Sequence, residues 1–404
     1  MITPARRAAY EVLLRVFEQD AYADRAFRSA AEGLDERERA FAQRLAYGSV
    51  QRVRTLDHAV ETLGRRPVRK LDPPVRAALR LGAYQLGYTD TAPHAAVNES
   101  VELVRGARLE RAVPFTNAVM RRLADGIRPL LDALPEGPLK ESYPDWIHDV
   151  FGRVLGKDGA LALMRAMNEP LETVVRLVSG DPPPGAESTD VPGAFRVERV
   201  DESLVTAGRI WPQSRGSQLA GLCVGSQDGE RVLDLCAAPG GKTGQLRGEV
   251  TSVEIDPARA RELRENLATM GRSDVTVVEA DGTALPPQLV GFDRALVDAP
   301  CSGLGVLAQR PDLRWRATPL PELQLALLRS AAERVRPGGT IVYSVCTLDP
   351  DECEAVVDAS GLPVLPLDVE WPAFVHPSRP EFLLTLPHVH GTSGFFVARL
   401  RSPG

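Results

Sequence analysis

The sequence predicts a multidomain fold: an N-terminal all-α bundle, a small α/β connector, and a C-terminal α/β domain built on a doubly wound, largely parallel sheet. Three observations carry this. Residues 3–123 repeat apolar side chains at helical spacing, the following stretch is rich in Pro and Gly, and from Arg231 the pattern changes to strands alternating with helices. The expected boundaries are 1–125 for the bundle, 126–142 for a linker, 143–215 for the connector and 216–404 for the last domain.

The chain has 404 residues, 44% of them apolar, which suits several soluble globular domains that each bury a core. No apolar run approaches the roughly 18 residues of a membrane span, and the stretch led by Arg6 and Arg7 lacks a signal-peptide core. A cytoplasmic protein without membrane contact is expected. Five cysteines (Cys223, Cys236, Cys301, Cys346, Cys353) form no CxxC pair, which argues against both a disulfide framework and a zinc cluster. Residues 1–140 carry a net charge of +5 and the remainder −11. A basic N-terminal domain on an acidic body suits RNA contact. Only four of the 48 basic residues are Lys: Lys70, Lys140, Lys157 and Lys242. In a chain that otherwise writes positive charge as Arg, Lys242 suggests a place where a compact ammonium is needed.

In the bundle, Ala8, Val12, Leu13, Val16 and Phe17 mark one apolar face and Phe41, Leu45 and Val50 another. Pro67, Pro73-Pro74 and Pro93 punctuate the helices, and the segments 76–86 and 114–123 carry Arg on their polar sides. In the connector, residues 146–167 read as helix, 174–178 as a strand, and 195–197 as a second short strand beyond the break Asp181-Pro182-Pro183-Pro184-Gly185. In the last domain the expected strands are 231–235, 249–254, 275–279, 292–298, 340–346, 382–386 and 395–400, with helices between the first five and an antiparallel hairpin at the end. Ligands of such sheets bind at the carboxyl ends of the strands.

The organising stretch is Asp234-Leu235-Cys236-Ala237-Ala238-Pro239-Gly240-Gly241-Lys242-Thr243. It reads as a strand, a small-residue turn and a helix start, where backbone passes close to a nucleotide-type ligand. Gly-Lys-Thr also ends a phosphate-binding P-loop, but that loop needs Gly six residues before the Lys, where this chain has Cys236. ATP is therefore disfavoured. Glu254, at the end of the second strand, stands where a carboxylate meets ribose hydroxyls, and Asp281, after the third, is placed to accept from an adenine amino group. Either acid alone could be a helix N-cap. Together, without a second Gly-rich loop, they point to S-adenosylmethionine. Two thiols, Cys301 and Cys346, follow the fourth and fifth strands. A thiolate adding at C6 of a pyrimidine makes C5 nucleophilic enough to take a methyl group, and a second thiol nearby has a role in the elimination that follows. Spacing alone does not rank the two.

These motifs, with Asp298-Ala299-Pro300-Cys301-Ser302-Gly303, Arg310-Pro311-Asp312 to Trp315, and Ser344-Val345-Cys346-Thr347, resemble bacterial RsmB-type (Sun/Fmu) 16S ribosomal RNA cytosine-C5 methyltransferases over nearly the whole chain. The bundle resembles the NusB RNA-binding domain, notably at Pro93-His94-Ala95-Ala96-Val97-Asn98-Glu99 and 115–122. The resemblance implies a NusB-like bundle followed, after the connector, by a Rossmann-like class I methyltransferase domain. It makes Cys346 the nucleophile and Cys301 the thiol that assists product release. It also sets Asp298 on the cytosine edge with Lys242 beside it, and gives the cofactor to Cys236, Ala237, Ala238, Pro239, Gly240, Gly241, Lys242, Glu254, Asp281 and Asp298. The implied partner is free or early-precursor 16S ribosomal RNA bound by a monomer, with no metal. His388 and His390 are expected in a surface loop. Ser214 is a departure, standing where the family usually has an acid. A transfer RNA cytosine methyltransferase and a non-catalytic RNA-binding assembly factor are the rival readings. The first shares the catalytic motifs, and the second is tested by whether S-adenosylmethionine binds.

Overall fold

The computed structural model describes residues 2–403. Two compact units form, one from the chain up to Asp149 together with Gln309–Arg316, the other from Val150–Ala308 with the chain from Ala317 on.

The first unit is helical. Its main helices are Pro4–Glu18, Ala23–Ala30, Glu36–Gln51, Val53–Gly64, Pro73–Tyr88, Pro93–Gly106 and Val113–Asp132. Pro73 and Pro93 open their helices, where a missing N–H costs nothing, and Asp35 caps Glu36–Gln51 by accepting from the Glu38 N–H at 2.8 Å. The apolar faces meet as the spacing predicts: Ala8, Val12, Leu13, Val16, Leu45 and Val50 are buried, with Phe17 and Phe41 half-buried against them. Helix Pro73–Tyr88 is buried almost throughout from Val75 to Leu86.

The stretch expected as a linker behaves differently. Residues 126–132 continue the helix Val113–Asp132 through Pro129, and Pro138–Glu141 forms a further turn. Pro129 removes one internal hydrogen bond, yet Ile127, Leu130 and Leu131 prolong the stripe that packs on the core. Residues 309–316 also belong to this unit. The Trp315 indole N–H donates to the Val50 carbonyl at 2.7 Å. Arg314, 1% exposed, lies 3.8 Å from the Tyr143 ring centre and donates to the Gln51 and Ser142 carbonyls. Burial pulls its guanidinium down to about 10.

The second unit holds two sheets. The smaller has strands β1 (Val174–Leu177), β2 (Glu187–Ser188), β3 (Ala194–Arg196) and β4 (Ile210–Pro212), in the order β2-β3-β1-β4 and antiparallel throughout. The two very short strands β2 and β4 have too few residues to show a period in the sequence.

The larger sheet has strands β5 (Arg231–Leu235), β6 (Glu249–Glu254), β7 (Thr276–Glu279), β8 (Phe292–Asp298), β9 (Val335–Val345), β10 (Leu383–Thr385) and β11 (Phe395–Arg401), ordered β10-β11-β9-β8-β5-β6-β7. Strands β5 to β9 run parallel, and β11 lies antiparallel between β9 and β10. This is a Rossmann-like arrangement with an antiparallel hairpin at one edge. Val232, Leu233, Leu235, Ala295, Leu296, Val297, Ile341 and Val342 are buried, as in strands covered on both faces.

Helices Pro257–Thr269 and Pro321–Arg334 fill two of the expected connections. Two others differ. The helix expected after β5 is only the 3-10 turn Thr243–Gln245, because Leu246 returns to extended backbone and Gly248 at φ +86° turns the chain into β6. The β7–β8 connection holds only turns, its Pro286-Pro287 pair and Gly291 breaking any helical run. Among the described residues no helix is long and apolar enough to cross a membrane.

Candidate functional site

Strand β5 pairs with β6 on one side and β8 on the other. In open sheets of this kind ligands bind at such a switch point, beyond the carboxyl ends of the strands. Loop 236–242 leaves β5 at that end. Asp234 is buried, and its Oδ2 accepts from the Thr243 hydroxyl at 2.6 Å, clasping the two ends of the loop together. Burial pushes the Asp234 carboxyl up to about 7. Cys236 sits at φ +60°, and burial raises its thiol to about 12, so it is a poor nucleophile. Ala237 and Ala238 are buried, and Pro239 and Gly240 complete the turn. Gly240 has φ +101°, and a methyl group there would lie 2.7 Å from Leu263 Cδ1. The left-handed backbone is what favours glycine at this point beside the helix Pro257–Thr269.

After Gly241 the chain delivers Lys242. Its ammonium lies 2.7 Å from Asp298 Oδ2 and 4.8 Å from the centre of the Phe395 ring. The Ser344 hydroxyl donates to Asp298 Oδ1 at 2.8 Å. Both carboxylate oxygens at the end of β8 are thus oriented, one from β9 and one from the β5 loop.

The thiols expected to act together are together. Cys301 Sγ lies 3.4 Å from Cys346 Sγ, and both residues are half-buried. The pair divides one proton unequally: the bond to Cys346 and burial push the Cys301 thiol well up, while the Cys301 thiol donating to it, helped by the Lys242 ammonium, holds Cys346 below the ordinary thiol value. Both effects favour ionisation at Cys346 over Cys301.

Glu254 ends β6 at 2% exposure, with Oε1 accepting from the Asp256 N–H at 3.1 Å. Its Oε2 finds no hydrogen-bond partner among the described residues, with the Arg259 guanidinium 3.6 Å away. An orphaned buried carboxylate oxygen beside a glycine loop fits a ligand hydroxyl. Asp281 follows β7 but is exposed, and its Oδ1 accepts from the Thr283 N–H and hydroxyl, both at 2.8 Å. Those bonds hold its carboxyl below the usual range. The structure thus gives Asp281 a turn-closing role.

Three details correct or complete the sequence reading. Ser214, in place of an acid, caps the helix Arg215–Cys223 by accepting from the Ser217 N–H. His390 lies in a helical turn (Pro387–His390) rather than an irregular loop, with Nδ1 accepting from the Leu386 N–H and Nε2 on the Ala373 carbonyl. Ser302, Ser344, Thr347, Gln324, Glu352 and Phe395 surround the thiols and Lys242 without having been singled out. A Glu inside the acidic run Asp349-Pro350-Asp351-Glu352 carries no signal that separates it from a solvated face.

Comparisons with known proteins agree with this architecture. The family model for the 16S rRNA methyltransferase RsmB/F matches residues 222–401, and that of the NusB family matches residues 3–125. The probable ribosomal RNA small subunit methyltransferase B of Synechocystis sp. is 32% identical over 98% of this chain and 99% of its own. Ribosomal RNA small subunit methyltransferase B of Thermus thermophilus is 34% identical over 94% and 92%. The crystal structure of PH0851 superposes with a TM-score of 0.82 over 99% of both chains at 23% identity, a likeness of fold. By its sequence relatives, the chain belongs to the RsmB/F family of 16S ribosomal RNA methyltransferases.

Proposed function

We propose that the protein transfers a methyl group from S-adenosylmethionine to carbon-5 of a cytosine in small-subunit (16S) ribosomal RNA, through a covalent adduct between Cys346 and C6. The observation that carries this is the thiol pair: Cys346 Sγ, held toward its thiolate, 3.4 Å from Cys301 Sγ at the ends of adjacent strands.

Loop 236–242, Glu254 and Asp281 are the groups to hold the cofactor, and Glu254 Oε2 is a buried acceptor suited to a ribose hydroxyl. When bound, S-adenosylmethionine supplies an electrophilic methyl group. Asp298, oriented by Lys242 and Ser344, holds the amino edge of the cytosine. The Cys346 sulfur forms a bond to C6, and the C5–C6 electron pair becomes available at C5, which takes the methyl group. A base then removes the C5 proton, the C5–C6 double bond re-forms, and the S–C6 bond breaks to return the thiolate. The Cys301 thiol, pushed up by its bond to Cys346 and by burial and lying 3.4 Å from Cys346 Sγ, supports a role for Cys301 in that last stage.

The base must leave its stack to reach Cys346, so unpaired RNA, free or in an early precursor, is the substrate, and the basic helical bundle is its docking domain for a monomeric enzyme. Residues 143–215 serve as connector between that bundle and the methyltransferase domain. With 16S RNA carrying 5-fluorocytosine, wild-type enzyme traps a covalent adduct that Cys346→Ala does not form. An adduct that survives the substitution sinks the assignment.

A further inference from the structure

One buried carboxylate gathers both thiol-bearing loops. Glu352 is 0% exposed. The Ser302 backbone N–H donates to both its oxygens, at 3.0 and 3.2 Å, and the Ser302 hydroxyl donates to Oε2. Oε1 also accepts from the Leu320 N–H at 3.0 Å and the Gln324 side-chain amide at 2.8 Å, and the same amide donates to the Pro300 carbonyl at 2.9 Å. The Ser302 and Thr347 hydroxyls lie 2.7 Å apart. Ser302 follows Cys301 and Thr347 follows Cys346, so each thiol is one residue from this network. Every donor to Glu352 is neutral. A buried acid kept for stability alone is ordinarily paired with a cation, whereas dipoles hold this charge in place and leave its field acting on its neighbours.

We propose that Glu352 is a positioning residue for methyl transfer: it clamps the Cys301 and Cys346 loops at thiol–thiol hydrogen-bond distance and disfavours negative charge on Cys301. The inference rests on the reading of Cys346 and Cys301 as the reacting thiols. The Glu352 charge adds to the bond from Cys346 and to burial in pushing the Cys301 thiol up. Glu352 thus reinforces a difference between the two thiols that their own bond and burial already set up.

Alkylation of the full-length protein by iodoacetamide, without RNA or S-adenosylmethionine and followed at each cysteine by peptide mass spectrometry, tests this apart from methyl transfer. In wild type at neutral pH, Cys346 reacts faster than Cys301 by about tenfold or more, the ratio one unit of pKa separation gives. In Glu352→Gln, which keeps the shape and removes the charge, the Cys301 midpoint moves to lower pH and the ratio falls to about threefold or less. With RNA present, the same variant lowers kcat while KM for S-adenosylmethionine stays unchanged. Gln324→Met, which retains the charge but unties Pro300, is measured alongside in case Glu352→Gln does not fold. Releasing the Cys301 loop slows Cys346 alkylation by about threefold. Unchanged cysteine reactivities in a folded Glu352→Gln, or in Gln324→Met, overturn the proposal.

Discussion

Gly305 and Gly394 meet backbone to backbone: the Gly394 N–H donates to the Gly305 carbonyl at 2.8 Å, and a methyl group on Gly305 would lie 2.1 Å from the Gly394 carbonyl oxygen. The Gly305 N–H in turn donates to the Cys346 carbonyl at 3.0 Å. This seam fastens the Cys301 loop to the turn before β11 and to the Cys346 backbone. Gly305→Ala is therefore expected to cost about 1–3 kcal/mol in urea unfolding, the usual penalty of overpacking. Methyl transfer should fall further than the stability loss explains, since the backbone that moves carries Cys346.

Cys301→Ala should leave adduct formation intact and slow its breakdown. On unmodified RNA, denaturing electrophoresis is expected to show a protein–RNA band that wild type does not accumulate. A variant that turns over at the wild-type rate with no band contradicts a role for Cys301 in release.

Lys242→Met removes the cation that favours the Cys346 thiolate and orients Asp298. In the proposed mechanism activity requires the thiolate, so it falls as pH drops through the Cys346 value. Without the ammonium that value rises, and the acid limb of the pH–rate profile should move to higher pH. A kcat loss of about 100-fold is expected, typical of deleting one preorganised charge partner. Rate measurements from pH 6 to 10 in both proteins check the shift.

Asp234 has a folded-state value of about 7, above the ordinary 3.8. A carboxyl shifted upward contributes its stability when protonated: fully below about pH 4, and lost as pH rises through 7. Asp234→Asn keeps an acceptor for the Thr243 hydroxyl and has nothing to ionise. Between pH 5 and 8 the variant should lose less stability than wild type, by up to about 3 kcal/mol in paired urea titrations.

Glu254→Ala removes the orphaned Oε2 beneath the glycine loop. Calorimetric titration with S-adenosylmethionine should show Kd rising about 10–100-fold, the cost of one or two charged hydrogen bonds. Equal affinity in the two proteins would remove Glu254 from the cofactor site.

Much of this was readable from residue order. Strands 231–235, 249–254 and 292–298 stand where the alternation of strand-like and helix-like segments puts them, each largely buried and bounded by turn residues. The thiol pair, Lys242 and Asp298 converge as their positions at strand ends require. Other features depend on contacts between residues remote in sequence. Thr347 and Ser302 look like ordinary turn residues until the sheet brings them 2.7 Å apart, and Arg314 looks like a surface cation until Tyr143 covers it. The β5–β6 connection departs from the expected helix because Leu246 is already extended and Gly248, in left-handed backbone, turns the chain into β6.

Strand β11 has a consequence for the order in which the protein becomes competent. It completes the hydrogen bonding of β9, which ends at Val345 just before Cys346, and it supplies Phe395 beneath Lys242. It also follows every other strand of its sheet in sequence. A chain leaving the ribosome carries both thiols, Asp298 and Lys242 while β9 is still an open edge. The site therefore closes only after residues 395–401 emerge, and a nascent chain shorter than that is expected to hold the full set of reacting groups without the scaffold that aligns them.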